Sequence, residues 1–351
     1  MGKLIIKART TLGGPGPVYA YTISRETAPT GLVINGIQGI VTSTDGTTYV
    51  KSYDSLGSTP TNLQNISLFY SGKFWYSMLV ILGSGNDGYK YITEQTSTGW
   101  EHSPASLVKP DINFGHPFSM LWVEDETYRR VSADVSTYYT STNRGGVWTN
   151  SGLSATRISS GLPIQMFMLD KTAGMNGPKV IKWMNSGLST ILGYTYYDGT
   201  SWHNNSTANS YSDIVKFGSN YYAWYTASNQ IFKAPTLAGI FTGTGRTTVL
   251  SAGGSGRGLF AIGDSKLVVN IPNNLYWSAT GNTGTWTNVS ATGTGPFGIA
   301  GTKGAAFFNN KWYMLSSSAN INRYSTSFVY ETTFANPFGT GANYSLSIYA
   351  V

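Results

Sequence analysis

Two hairpin patterns alternate along this chain, and their spacing constrains the fold more than any other feature. The first is an apolar strand, a tight polar turn and an aromatic strand: LFYSGKFWYSM (68–78), FGSNYYAWY (217–225), AIGDSKLVV (261–269) and FFNNKWYML (307–315). Looser copies stand at LWVEDETYRRV (121–131) and MNGPKVIKW (175–183). The second opens with Tyr or Ile, passes a polar turn and closes on a large aromatic. Its copies are YITEQTSTGW (91–100), YYTSTNRGGVW (138–148), YTYYDGTSW (194–202), IFKAPTLAGIF (231–241), YWSATGNTGTW (276–286) and FVYETTFANPF (328–338). The closing aromatics Trp100, Trp148, Trp202, Phe241, Trp286 and Phe334 are 48, 54, 39, 45 and 48 residues apart. Gly and Asn at the turns supply the positive φ that two-residue hairpins demand.

A repeat of about 40–50 residues holding two linked hairpins is a four-stranded antiparallel sheet, the unit of a β-propeller. Six copies are explicit. A seventh, degenerate copy is assigned to 31–61, where VTSTDGTTYVKSYDSLGSTP has a turn and a Ser52-Tyr53-Asp54 box but no Trp. The expectation is all-β: a single seven-bladed β-propeller of four-stranded antiparallel blades over residues 1–351, with six blades as the alternative. An open ring exposes strand edges. Residues 1–30 and 339–351 are therefore expected to supply the terminal strands that close it, 4–7 or 18–23 pairing with the tail 344–351. Charged residues are only 11% and helical periodicity is almost absent, which argues against long solvated helices. The longest apolar run, MLVIL (78–82), is far short of a membrane-spanning helix.

Ser141-Thr142-Asn143-Arg144-Gly145-Gly146-Val147-Trp148 fits S-x-[DN]-x-G-x-x-W. It resembles the Asp-box, or BNR, repeat of sialidases and related propellers, with Asn143 where that family usually has Asp. Asp198-Gly199-Thr200-Ser201-Trp202 carries the later half of the box, and Ser278 with Gly284-Thr285-Trp286 is a stretched form. The resemblance implies a structural motif on the hairpin joining the outer strands, away from any catalytic face. A short polar side chain accepts backbone N–H bonds across the turn, Gly takes a positive φ, and Trp packs between sheets. Ser141, Asn143, Gly145, Trp148, Asp198, Gly199, Trp202, Ser278, Gly284, Trp286 and Trp100 are accordingly expected to staple blades.

The same resemblance would imply three arginines converging on a carboxylate, a Tyr/Glu nucleophile pair and an acidic Asp. Here nine arginines are scattered and the family's N-terminal Arg-Ile-Pro is missing. Glu124, Asp125 and Glu126 are contiguous at a hairpin turn, where solvation is expected rather than the cleft pair of a glycosidase. His102, His116 and His203 stand apart, without metal-ligand spacing. Gly293–Gly298 matches G-x-G-x-x-G, but Pro296 and a strand-like stretch follow in place of the helix a phosphate site needs. No catalytic residue, metal or cofactor is expected.

The net charge of +7 is dispersed, with no Lys/Arg run of five, which speaks against nucleic acid as a partner. The absence of cysteine removes disulfides and thiolate chemistry. Tyr194, Tyr196, Tyr197 and His203 beside Trp202 are the candidate ligand contacts, suited to a sugar. Alternating strand residues around a packing Trp is the favoured reading of them. A multi-site lectin would repeat one polar triad in every blade, and none recurs. Low charge and abundant Gly, Ser, Thr and Asn match phage tail, fibre and virion-surface proteins. The functional expectation is a non-enzymatic structural or docking component of a phage particle. The alternatives are a carbohydrate- or receptor-binding propeller and a sialidase-like hydrolase. Expected partners are other virion or assembly proteins, or a host-surface glycan, with no nucleic acid and no membrane insertion. Lys7 interrupts the N-terminal apolar stretch too early for a signal peptide. The expected location is the virion or the extracellular space, reached without a cleaved signal.

Overall fold

Chain order translates into sheet order. The computed structural model describes residues 31–36, 39–54, 63–70, 75–82, 88–96, 99–102, 120–125, 127–131, 137–142, 147–154, 158, 161–170, 173–185, 189–253, 256–271, 274–289, 304–315, 320–335 and 347–350. These residues form seven four-stranded antiparallel sheets. Blade I combines β1 (Leu32–Gly36), β2 (Gly39–Ser43) and β3 (Val50–Asp54) with the last strand, β28 (Ser347–Ala350). Blade II is β4 (Leu63–Tyr70), β5 (Trp75–Leu82), β6 (Gly88–Thr96) and β7 (Gly99–His102). Blade III is β8 (Met120–Glu124), β9 (Thr127–Val131), β10 (Thr137–Ser141) and β11 (Thr149–Ser154). Blade IV is β12 (Leu162–Met168), β13 (Lys179–Met184), β14 (Ile191–Tyr197) and β15 (Trp202–Asn205). Blade V is β16 (Tyr211–Phe217), β17 (Asn220–Tyr225), β18 (Gln230–Ala234) and β19 (Thr247–Ser251). Blade VI is β20 (Leu259–Gly263), β21 (Lys266–Ile271), β22 (Asn274–Ser278) and β23 (Thr287–Asn288). Blade VII is β24 (Ala305–Phe308), β25 (Lys311–Leu315), β26 (Ile321–Tyr324) and β27 (Tyr330–Phe334). First strands of successive blades touch from β8 through β12, β16, β20 and β24 to β28, so the sheets are set around a common axis as a β-propeller.

The tail supplies a closing strand. β28 pairs antiparallel with β1, Leu32 opposite Ala350 and Asn35 opposite Ser347, so the tail completes blade I against 32–36. The segments 4–7 and 18–23 lie outside the described residues. The joint is dry: Leu32 and Ile348 pack with Ala306, Tyr313, Leu315 and Ile321 of blade VII.

The second strand of a blade is covered on both faces, and its sequence is correspondingly a near-continuous apolar run. Tyr221–Trp224, Leu267–Val269 and Trp312–Leu315 are all buried. Trp183, Trp224 and Trp312, one on each of three such strands, are at most 1% exposed. Each indole removes on the order of 200 Å² from water, about 5 kcal/mol of hydrophobic stabilisation. Toward the rim the pattern changes to alternation, as in β27, where Glu331 and Thr333 are exposed between half-buried neighbours. The inner hairpins turn as expected: Asp264-Ser265 and Asn309-Asn310 both hold φ near +50°, the geometry of a two-residue loop.

The outer hairpins dock each blade on the one before it. Trp202 of blade IV meets Trp122 of blade III at 6.2 Å, and Phe328 of blade VII stacks on Trp277 of blade VI at 5.9 Å. Trp286 packs into the apolar seam between blades V and VI. Tyr49 of blade I meets Phe334 of blade VII at 5.2 Å. Three sequence assignments are corrected here. Phe328, not Phe334, closes the blade VII turn, because Ser325 rather than a later residue accepts the turn N–H, from Val329. The blade I turn is Ser43–Tyr49, and Ser52-Tyr53-Asp54 lies within or at the end of β3. In blade V the expected turn is a short helix, α1 (Leu237–Thr242), capped by the Thr236 hydroxyl accepting from Gly239 N–H. Among the described residues no helix is long and apolar enough to cross a membrane.

Candidate functional site

The first strands all run in one direction, so the ring has two distinct ends. At the end where they finish, the connection from β12 to β13 reaches several blades. Tyr70 N–H of blade II lies 3.3 Å from Met168 Sδ, and Lys216 N–H of blade V donates to Leu169 O at 2.8 Å. Asn176 exchanges two bonds with Asp125 of blade III, Asn176 Nδ2 donating at 2.8 Å and Asp125 N–H at 3.1 Å. Beside it Lys179 Nζ lies 2.7 Å from Glu124 Oε1 and 4.4 Å from the Tyr197 ring centre. Burial pulls the Lys179 ammonium below its ordinary value, and Glu124 opposes that pull. Glu124 is thus an interblade partner rather than the solvated turn residue expected from its position. This end is built for cohesion.

The opposite end, where β12, β16 and β20 begin, gathers polar groups from blades IV, V and VI. Ser212 Oγ donates to Gly258 O at 2.7 Å and accepts from Gly258 N–H at 3.1 Å, lashing blade V to the start of β20. Asp213, 8% exposed, accepts from Ile214 N–H at 2.9 Å and from Phe260 N–H at 2.8 Å. Gln165 Nε2 donates to Ser212 O and Lys182 Nζ to Tyr211 O, each at 3.4 Å. Burial and then the neighbouring Arg257 charge push the Lys182 ammonium down to about 8. Two like charges therefore meet at this mouth, one half-buried on β13 and one exposed just ahead of β20. Sequence reading missed Lys182 and Arg257: they are 75 residues apart on different blades, so only tertiary packing brings their charges within reach of each other.

The residues singled out by the outer-hairpin pattern behave as turn fasteners. Ser278 is fully buried, and its hydroxyl accepts from Thr280 and Gly281 N–H at 3.2 and 2.8 Å. Asp198 Oδ1 accepts from Thr200 and Ser201 N–H at 2.8 and 2.9 Å. Burial works against the Asp198 charge, yet those bonds hold its carboxyl well below the usual range. Ser43 and Asp45 form the same device in blade I, Ser43 Oγ accepting from Gly46 N–H and Asp45 Oδ1 from Thr47 and Thr48 N–H. The Ser-x-Asp spacing was the available signal for that pair, obscured because no Trp follows. Gly199 and Gly284 take φ of +110° and +78°. Gly46 and Gly281, also at positive φ, let their turns approach the hydroxyls of Tyr313 and Tyr222, where a Cβ would lie within 2.0 and 2.3 Å. Ser141 is buried, while Trp148, Trp202 and Trp286 are half-buried. Asn143 and Gly145 lie outside the described residues, as do the side chain of Trp100 and the segment 293–298.

Two of the four candidate ligand contacts are sealed in packing, and the other two are half-buried. Tyr194 is wholly buried, its hydroxyl donating to Asn209 O at 2.7 Å, and Tyr196 is 7% exposed, stacked against both His203 and Phe241. Tyr197 donates to Gly199 O at 2.9 Å. α1 lays Phe241 over Tyr194 and Tyr196, which makes those two packing residues, while Tyr197 fastens its own turn. Ser201 and Asp198 both contact His203 Nε2, at 2.9 and 2.8 Å. One ring nitrogen cannot accept from the serine while donating to the aspartate, so the trio has no relay geometry. Among the described residues no three His, Asp or Glu side chains cluster as metal ligands.

No protein-family model and no curated protein matches the chain. Solved structures do resemble it. Apo AztD from Citrobacter koseri superposes with a TM-score of 0.53 at 11% identity, covering 92% of this chain and 97% of that one. YCF48 bound to D1 peptide gives 0.53 at 12% identity over 86% and 91%. YCF48 from Cyanidioschyzon merolae gives 0.51 at 12% over 86% and 98%. At these identities the likeness is one of fold, the β-propeller.

Proposed function

We propose that the protein is a non-enzymatic docking component of a larger assembly, of the kind found in phage particles, built on the propeller. The observation that carries this reading is the state of the carboxylates. Every Asp or Glu whose side chain is described already holds an internal hydrogen bond or ion pair: Asp45, Glu124, Asp125, Asp170, Asp198, Asp213, Asp264 and Glu331. Hydrolytic chemistry needs carboxylates aimed at a substrate. Here they bind turns and blades to one another, which suits a rigid presenting scaffold. The hydrogen-bonded outer turns at Ser43–Asp45, Asp198 and Ser278 support a structural rather than catalytic role for these motifs. A likeness in fold to YCF48, a propeller solved bound to D1 peptide, is compatible with this reading. The test is mass spectrometry of gradient-purified phage particles produced by cells that express the gene for this chain. The reading expects the chain at a fixed ratio to known structural proteins. Its absence from particles, or turnover of a fluorogenic sialoside by the purified chain, refutes it. Saturable hits on a glycan array without particle incorporation would favour the lectin alternative.

A further inference from the structure

We propose that the β1 edge of blade I is an acceptor site for the closing strand of a second copy, so that β28 passes between chains and links them. The inference rests on the docking reading and adds to it the partner and the contact it makes. In blades II to VII the first and second strands of a sheet follow one another in the sequence. In blade I they do not: β28 pairs with β1, and Ser347 stands 311 positions after Gly36. β28 is therefore held as a bound peptide is, by ladder bonds and side-chain burial rather than by a hairpin. The pairing runs from Leu32 opposite Ala350 to Asn35 opposite Ser347. Ile348, 2% exposed, is its anchor, set among Leu32 and Val41 of blade I and Tyr313, Leu315 and Ile321 of blade VII.

None of these contacts depends on which chain supplies the strand. β28 of a neighbouring copy meets the same β1 edge and the same pocket for Ile348, so exchange conserves the interface and changes only the tether. Concentration then sets the balance. A tethered strand competes at an effective concentration on the order of 1 mM, which copies arrayed in an assembly match. Thirteen positions separate the end of β27 at Phe334 from Ser347, a length that spans about 40 Å when extended. A second copy is favoured over a foreign peptide because the site's occupant is this chain's own Ser347-Ile348-Tyr349-Ala350, in a defined register. Reciprocal exchange closes a dimer, and one-way exchange propagates a row of rings.

The chain has no cysteine, so introduced disulfides report the pairing without background. Directly opposite residues of an antiparallel pair have Cα atoms about 4.5–5.5 Å apart, within disulfide reach. The full chain carrying Asn35→Cys is mixed with the full chain carrying Ser347→Cys at about 1 mM, warmed below the Tm, oxidised and run on a non-reducing gel. The expected result is a covalent dimer in the mixture, roughly tenfold above either variant alone, that falls on dilution. An excess of a synthetic peptide of residues 345–351 should suppress it, and the same peptide with Ile348→Asp should not. Asn35→Cys mixed with Ala350→Cys, out of register by about 10 Å, should stay monomeric. The dilute double variant Asn35→Cys/Ser347→Cys should close its disulfide within one chain, which checks that the substituted chains fold and pair. Failure of that internal disulfide refutes the register and the proposal with it. Absence of the mixed dimer, or equal dimer from the out-of-register pair, refutes exchange. If the chain is found in particles but the mixed cysteines never cross-link, exchange fails while the docking reading stands.

Discussion

Replacing Glu124 by Gln keeps the side-chain shape but leaves the Lys179 ammonium buried without its counter-charge. The pair is 2.7 Å apart, with the lysine side chain 1% and the glutamate 14% exposed. At an effective dielectric of about 20 the lost attraction is about 6 kcal/mol. Desolvation already opposes the pair in the parent protein, so the net penalty for stranding the lysine is about 3–5 kcal/mol. Arg129, 2.5 Å from the second Glu124 oxygen, is 26% exposed and rehydrates. Unfolding entropy of about 2.1 cal/mol/K per residue gives a cooperative unit of this length about 0.7 kcal/mol/K, so Tm should fall by about 4–7 °C. Circular dichroism melts at pH 7 measure it. Adding Lys179→Met to Glu124→Gln should restore most of the loss, since methionine fills the site without charge. The reasoning is refuted if the single variant loses under about 1 °C or the double variant is no more stable than the single.

Gly281→Ala should destabilise by about 2–4 kcal/mol in urea titrations, because φ of +69° and a Cβ 2.3 Å from Tyr222 Oη both resist a side chain. Asp198 is held below the ordinary carboxyl range, so its contribution is present above about pH 4 and is lost as pH falls through its folded value. Asp198→Asn should accordingly be less stable than the parent at pH 6, with the gap closing in acid melts. Lys182, at about 8 against an ordinary 10.5, carries the opposite sign: its charge destabilises the fold below pH 8, and the penalty fades as pH rises toward 10.5. Lys182→Met should therefore melt about 1–3 °C above the parent at pH 7 after allowance for solvent screening, with equal Tm values near pH 10.5.

The blade repeat was legible because it is written in local chemistry. Turn residues such as Asn309-Asn310 and Asp264-Ser265 select two-residue hairpins wherever they occur. The two-sided burial of second strands shows as runs such as WYML (312–315). The outer turn of blade I was harder to read, since Tyr49 replaces the expected Trp and the Ser43–Asp45 pair alone marks it. Blade V was misread as a turn because TLAGIF is as apolar as a closing strand, and six residues are too few to display a helical period. The tyrosine cluster around Tyr194 admitted a sugar platform beside the favoured packing reading because exposure, which separates the two, is absent from a one-dimensional pattern.

Alternation, turn chemistry and a period near 45 residues determined from the sequence alone that the chain forms four-stranded sheets arranged as a propeller. Those are nearest-neighbour properties, set by φ preferences and by which faces of a strand meet water. Which aromatics wedge adjacent blades, that Glu124 neutralises Lys179, and that Lys182 and Arg257 face the same mouth were decided only by the tertiary structure. Interblade contacts depend on the twist and register of separate sheets, and charges many residues apart interact only once packing has fixed the distance between them.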